Sequence, residues 1–195
     1  VDALSDVPSK TAVPTSEVDS SISAVKPEQP DLQISNAAAV IQKAAYPLWD
    51  YLTKKLIGVP SQIALPGAPS LILIPANRTY FSLGKLSALD PYFNTLLPRT
   101  EWKALTPGLL TQIRSSPCKS YDLMLWHKAF TDSNGKLAAH LDPGAYYQLT
   151  QTLDLTADHP RAHRIGLAMS RPIRLHQIAT ESGTSVAEVY ASVSA

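Results

Sequence analysis

The last twenty-four residues of the chain, Pro172 to Ala195, have the spacing of a helix-turn-helix unit. Ala179 is small enough to let two helices approach each other, and Gly183, four residues later, can adopt the positive φ of a tight turn. Ser185 or Thr184 can cap the second helix. Three valines would form the buried face of that helix: Val186, Val189 and Val193. This pattern therefore predicts two packed helices at the end of the chain.

The predicted second helix has no lysine or arginine. We expect its outward face to carry small or acidic residues, namely Ala187, Glu188, Ala191, Ser192 and Ser194. Proteins bind DNA with positive side chains that replace the counterions of the phosphates. The helix-turn-helix pattern and a DNA-binding function therefore disagree, and DNA is a poor candidate partner.

Composition and hydrophobic periodicity divide the chain into three parts, which together predict an α+β protein. Residues 1–33 contain six acidic and two basic residues and no aromatic residue, so we expect a disordered acidic tail or linker. Residues 34–118 predict a small subdomain of one helix and an antiparallel hairpin. Residues 119–195 predict a mainly helical domain that ends in a winged-helix or helix-turn-helix unit.

Within the small subdomain, apolar residues recur at helical spacing over residues 34–58, with Pro47 expected to kink or divide the helix. A short strand is predicted at residues 62–65. Residues 70–74 and 78–82 should then pair across the turn residues Pro75 to Asn77. We expect Tyr80 to be exposed on this hairpin, whose edge strand would be free to add to the sheet of a partner.

Three helices are predicted before the terminal pair. Ser120 should cap the first, over residues 121–133. Asp142 and Pro143 should begin the second, and Asp158 should cap the third. A strand at residues 173–175 would then precede the helix-turn-helix unit, which is the element order of a winged helix.

A basic segment follows Asp158, and it contains the best candidate binding residues. Four arginines and three histidines occur before the next acidic residue, Glu181: His159, Arg161, His163, Arg164, Arg171, Arg174 and His176. Guanidinium groups recognise carboxylates and phosphates by paired hydrogen bonds. The alternative is a solvated helix face whose arginines pair with Asp154, Asp158 or Glu181.

No combination of residues predicts catalysis, a metal site or a cofactor. His159 and His163 have the four-residue spacing of paired zinc ligands, but the glutamate of a His-Glu-x-x-His motif is missing. The eight glycines are scattered and form no phosphate-binding loop. The single cysteine, Cys118, has no sequence context of a nucleophile and excludes an internal disulfide. We therefore expect a non-enzymatic protein.

Hydropathy and net charge indicate where the protein is located and what it can bind. No apolar run is long enough to span a bilayer, and no signal peptide is visible, so we expect a cytoplasmic location. The formal net charge is only +1, which is low for a nucleic-acid binder.

Several segments of the C-terminal part resemble one group of bacterial proteins. They are Gly135 to Leu137, Asp142, Leu149, Asp158 to Ile165 and Arg171 to Ala179. Residues 121–195 resemble the C-terminal region of winged-helix-like proteins that accompany small Ras-like GTPases and roadblock-type proteins, in systems linked to surface motility and type IV pili. The resemblance implies an adaptor or regulatory role and gives no site residues.

Taken together, these patterns predict an adaptor that binds a protein with an acidic surface. The resemblance implies a small GTPase or a roadblock-type protein as that partner. The expected contact residues are Arg161, Arg164, Arg171, Arg174 and Tyr80. The alternative is a DNA-binding transcriptional regulator that uses the basic segment and the terminal helix pair.

Overall fold

The computed structural model describes residues 44–195, and the predicted acidic tail lies outside them. The fold is α+β, with seven α-helices and nine short strands in the described range. The helices are α1 (Leu48–Thr53), α2 (Asp90–Phe93), α3 (Pro107–Arg114), α4 (Tyr121–Asp132), α5 (Pro160–Ala168), α6 (Leu175–Ser182) and α7 (Val186–Ser194). The strands are β1 (Ala45–Pro47), β2 (Ser61–Ile63), β3 (Leu71–Ile74), β4 (Thr79–Phe81), β5 (Leu96–Pro98), β6 (Lys103–Ala104), β7 (Lys119–Ser120), β8 (Tyr146–Tyr147) and β9 (Ile173–Arg174).

The central sheet has five antiparallel strands in the order β6-β2-β3-β4-β7. The predicted hairpin is confirmed as β3 and β4, with Leu73 opposite Tyr80 and a short 3-10 turn at Pro75–Asn77. Both outer strands are only two residues long. The hairpin is therefore flanked on both sides and has no free edge.

Every residue of β3 is buried because both faces of the sheet are covered. Leu71, Leu73 and Tyr80 face the main core, which also contains α1 and most of α4. On the opposite face, Ile72 and Ile74 pack against Ile113 of α3. Thr106 caps α3 by accepting a hydrogen bond from the Leu109 amide.

The main core crosses the boundary predicted at residue 118. Strand β7 pairs with β4, and α4 adds Leu123, Met124 and Trp126 to the cluster formed by residues 48–102. Helix α4 begins where the sequence predicts, because the Ser120 hydroxyl accepts a hydrogen bond from the Asp122 amide. This helix belongs to the core of the sheet as well as to the helical region.

The terminal helix pair is formed by α6 and α7. Gly183 adopts the left-handed conformation, φ 62°, and the Thr184 amide donates to the Ala179 carbonyl. Ser185 and Glu188 form a reciprocal capping box at the start of α7. A second core, which includes Ile178 and Val189, joins α5, α6 and α7. The winged-helix assignment stays a prediction.

The prediction of one long helix over residues 34–58 is wrong within the described residues, because only Leu48–Thr53 (α1) is helical there. Tyr46 precedes Pro47, and a residue before proline disfavours the helical region. Residues 45–47 instead pair with β5, and the Tyr51 hydroxyl of α1 donates to the Leu97 carbonyl at 2.7 Å. The part of the prediction before Ala44 lies outside the described residues.

Two predicted helix starts are also wrong. The Asp142 carboxylate accepts a hydrogen bond from the Gly144 amide at 2.8 Å, which closes a local turn that leads into β8. Asp158 does not cap α5. Its side chain lies in the core and accepts from the Leu86 amide and from Lys119, so a tertiary contact replaces the local one.

Candidate functional site

A wide apolar groove of about 590 Å³ lies between α4, α5 and the segment that joins β8 to α5. Leu125 and Trp126 of α4 form one wall, and Ile165 and Leu167 of α5 form the other. The end of α7 closes part of the groove with Val193. A concave apolar surface of this size is typical of a binding site.

Three large apolar side chains of this groove are exposed to solvent: Trp49 is 44% exposed, Leu149 37% and Leu167 61%. They come from α1, the β8–α5 segment and α5, which are distant in sequence. Contiguous exposed apolar surface is characteristic of protein contact sites. The groove thus offers aromatic and aliphatic anchors for a partner.

None of the four predicted arginines, all of which lie within the described residues, lines the groove. The guanidinium of Arg174 lies over the exposed ring of Tyr146, 5.0 Å from its centroid. The next residue, Tyr147, does line the groove, and successive side chains of a strand point to opposite faces, so Tyr146 and Arg174 face away from it.

The predicted basic segment is not one cluster. Arg161 forms an ion pair with Glu188 of α7 at 2.9 Å, and Arg171 forms one with Glu181 of α6 at 2.8 Å. Arg164 lies near the Gly183 turn and has no ion-pair partner among residues 44–195. The expected pairing with Glu181 is thus observed for Arg171, and pairing with Glu188 was not foreseen.

The Arg161 guanidinium and the Ser185 amide hold the pKa of the Glu188 carboxyl at about 2, below its ordinary value of 4.5. Glu188 therefore carries its charge throughout the physiological range. It caps α7 and links that helix to α5 at the same time. An acidic partner has to compete with this carboxylate for Arg161.

The expectation that Tyr80 is exposed is wrong, because this side chain is only 1% exposed. It points to the main core opposite Leu73, and α3 covers the other face of the hairpin. Burial strongly raises the pKa of the Tyr80 hydroxyl. Tyr80 therefore belongs to the core and offers nothing to a partner.

The second helix of the pair, α7, packs against α4, α5 and α6, and Ala191, which was expected to face outward, is 4% exposed. Val186 was expected in the buried face of this helix but is 44% exposed, because the start of α7 extends past its neighbours. The Ser194 hydroxyl accepts a hydrogen bond from the Ala138 amide in the loop after α4. The exposed side of α7 has no cationic side chain for a DNA phosphate.

The structure brings together a polar chain that the sequence analysis missed, in which the His127 side chain is buried and the Asp90 side chain is 43% exposed. His127 of α4 lies with Nε2 2.7 Å from Asp90 Oδ1 and with Nδ1 2.9 Å from His159 Nε2. Burial lowers the pKa of the His159 imidazole below its ordinary value, and the neighbouring His127 lowers it further. The three residues are 37 and 32 positions apart, so local spacing gave no signal.

The other reactive side chains do not converge. His159 faces His127, whereas His163 lines the groove, so the predicted helical pair does not form a common site. Within residues 44–195, no three metal-ligating side chains come together. Cys118 is half-buried, and burial raises the pKa of its thiol. A thiol with a raised pKa is a poor nucleophile.

Comparison with known protein families, with curated proteins and with solved structures finds no match to this chain. None of the helices within residues 44–195 combines the length and the apolar character needed to cross a lipid bilayer.

Proposed function

We propose that this chain is a non-enzymatic adaptor or regulatory protein of the bacterial cytoplasm that acts through protein–protein contacts. The observation that carries the proposal is the groove with Trp49, Leu149 and Leu167 exposed in its lining. Full burial of an exposed side chain of this kind is worth about 1.5–3 kcal/mol, and these three, already partly buried, each add a share of that to a complex.

Two arginines of the basic segment support an acidic partner. Arg164 and Arg174 form no ion pair among residues 44–195, and Asp122, a carboxylate of the groove lining, is paired with Arg78. The partner would thus be a protein segment with aromatic or aliphatic side chains and with aspartate or glutamate beside them. Electrostatic complementarity of this kind increases the association rate and the specificity. The small GTPases and roadblock-type proteins implied by the resemblance of residues 121–195 are the first partners to test.

The DNA-binding alternative is supported less well. Helix α7 has no cationic side chain, and its inner residues pack against α4. Arg161 and Arg171 already pair with glutamates, which reduces the charge available for phosphates. Both observations favour protein contact over DNA contact.

The proposal is tested by selecting ligands from a displayed library of random short peptides on the full chain. We expect the enriched peptides to combine apolar and acidic residues and to be lost with Leu167→Asp. The matched control is Leu83→Asp, because Leu83 is 92% exposed and does not line the groove. Failure to enrich any peptide, or equal retention by Leu167→Asp, would argue against the groove as the contact site.

A further inference from the structure

The hydrogen-bonded chain of Asp90, His127 and His159 joins the two cores of the molecule. His127 is 3% exposed and belongs to α4, whose Leu123, Met124 and Trp126 lie in the main core. His159 is the residue before α5, and α5 contributes Ile165 to the second core. Asp90 begins α2 and holds the far nitrogen of His127. The contact between the imidazoles is thus a polar link between α4 and α5.

The geometry of this link limits how many protons it can hold. When His127 donates from Nε2 to the Asp90 carboxylate, its Nδ1 accepts from the Nε2–H of a neutral His159. A single added proton is compatible with the 2.9 Å contact and is balanced by Asp90. A second proton places N–H groups on both facing nitrogens, 2.9 Å apart, and two like charges on adjacent rings, of which His127 is 3% exposed.

The surroundings offer little compensation for that second charge. The rings of Phe93, Trp126 and Phe130 pack around the two imidazoles. The Asp158 carboxylate is next to His159 but is already bound to Lys119 and to the Leu86 amide. The remaining charged neighbours are paired with each other: Arg161 with Glu188, and Lys128 with Asp132.

We propose that Asp90, His127 and His159 form an acid-sensitive joint, in which the α4–α5 contact loosens when both histidines are protonated. Because α4 and α5 are also the walls of the groove, loosening the joint changes the width of the groove. This inference does not depend on the proposed function, since it concerns the joint alone and needs no partner for its test.

The sign of the pH effect follows from His159. Its pKa is lowered in the folded chain, so the unfolded chain binds more protons in the window below about pH 6.5. Folding stability is therefore lost as the pH falls from 6.5 through the folded pKa of His159. Below that pKa, the protonation of His159 causes no further change in stability. The folding equilibrium constant falls by at most about tenfold per pH unit for this one proton.

The first measurement is an NMR titration of the five histidine rings in the full chain. We expect His159 to titrate below the ordinary value of 6.5 for histidine. An ordinary or raised midpoint for His159 would overturn the proposal. This measurement needs no variant and is independent of whether any substituted chain folds.

The second measurement compares unfolding of the wild type and of His159→Gln across about pH 5 to pH 8. Glutamine keeps a donor for His127 and carries no charge, so we expect the variant to lose less stability in acid. His176→Gln is the matched control, because His176 is exposed on α6 and lies outside the joint. Parallel curves for the wild type and His159→Gln would overturn the proposal.

A third readout separates loosening from global unfolding. Trp126 packs against the ring of His159, with 5.2 Å between the centroids, and is 9% exposed. In a Trp49→Phe background, Trp102 and Trp126 remain, so the same background with Trp126→Phe added gives the contribution of Trp102 alone. We expect acrylamide to quench the Trp126 difference signal more strongly in acid before the helical circular dichroism signal falls. Quenching that rises only together with the loss of helix would contradict a local joint.

Discussion

Gly135, in the loop that follows α4, lies directly against Ala187 in the first turn of α7. A Cβ placed on Gly135 would be 3.0 Å from the Cβ of Ala187, and the backbone of Gly135 has φ of +73°. The same loop supplies the Ala138 amide and the Lys136 carbonyl to the Ser194 hydroxyl at the other end of α7. The terminal helix is thus attached at both ends to the loop after α4.

The Gly135 contact predicts that Gly135→Ala destabilises the chain. A non-glycine residue at positive φ costs about 1 kcal/mol, and the close approach to Ala187 adds to that cost. Gly58→Ala is the control, because a Cβ at Gly58 meets nothing within 4 Å and the backbone there is not in the left-handed region. Urea unfolding should show a clearly lower free energy of unfolding for Gly135→Ala and a change within about 0.5 kcal/mol for Gly58→Ala. Equal effects would contradict the packing of α7.

The buried hydroxyl of Tyr80 predicts an unusual result for removal of a polar group. Among the described residues this hydroxyl has no hydrogen-bond partner, so Tyr80→Phe should leave the free energy of unfolding unchanged or raise it by about 1 kcal/mol. Tyr92→Phe is the matched control, because the Tyr92 hydroxyl donates to the Pro69 carbonyl at 2.8 Å and accepts from the Leu65 amide at 3.1 Å. Tyr92→Phe should lower the free energy of unfolding by about 1–2 kcal/mol. A large loss of unfolding free energy in Tyr80→Phe would show that the Tyr80 hydroxyl has a hydrogen-bond partner.

The Arg161–Glu188 pair predicts a pH dependence with a definite sign. The pKa of Glu188 is lowered to about 2, so its contribution is fully present above the ordinary value of 4.5 and is lost as the pH falls through about 2. Arg161→Ala should raise this pKa, while the Ser185 amide keeps it below 4.5. NMR titration of the Glu188 carboxyl in both chains checks this. An unchanged pKa in the variant would mean that the ion pair is not formed in solution.

The lack of any lysine or arginine on α7 predicts weak binding to DNA. Fluorescence anisotropy with duplex DNA at two salt concentrations should show no sequence-selective binding tighter than about micromolar, because specific sites need several phosphate contacts. Each contact adds about 0.9 to the slope of log affinity against log salt. Tight, selective binding with a slope that indicates four or more contacts would instead favour the DNA-binding alternative.

Local rules predicted the parts of the fold that local residues determine. Gly183 alone among nearby residues suits the left-handed turn, Ser120 and Ser185 cap the helices that follow them, and the turn residues Pro75 to Asn77 placed the β3–β4 hairpin. In each case the hydrogen bond or dihedral involves residues within a few positions of each other. Such features survive in the fold because the surrounding packing does not oppose them.

Tertiary contacts overrode the other predictions. Asp158 has the sequence position of a helix cap, yet Lys119 and the Leu86 amide bind it from 39 and 72 positions away. Tyr80 was expected to be exposed, but α1 and α4 pack on its face of the sheet, and α4 is 41 or more positions away in sequence. The groove is lined by Trp49, Leu149 and Leu167, and no spacing rule connects residues of three separate elements.

The central claim is that the groove between α4 and α5 binds a protein segment with apolar and acidic residues. The most direct test is the dissociation constant of a peptide selected on the wild-type chain, measured for the wild type, Leu167→Asp and Leu83→Asp. Circular dichroism should first show that all three chains fold alike. We predict at least about tenfold weaker binding for Leu167→Asp, because an anchor that adds a share of about 1.5–3 kcal/mol is replaced by a charge that repels the acidic peptide, and no change for Leu83→Asp. Equal dissociation constants for the three chains would contradict the claim.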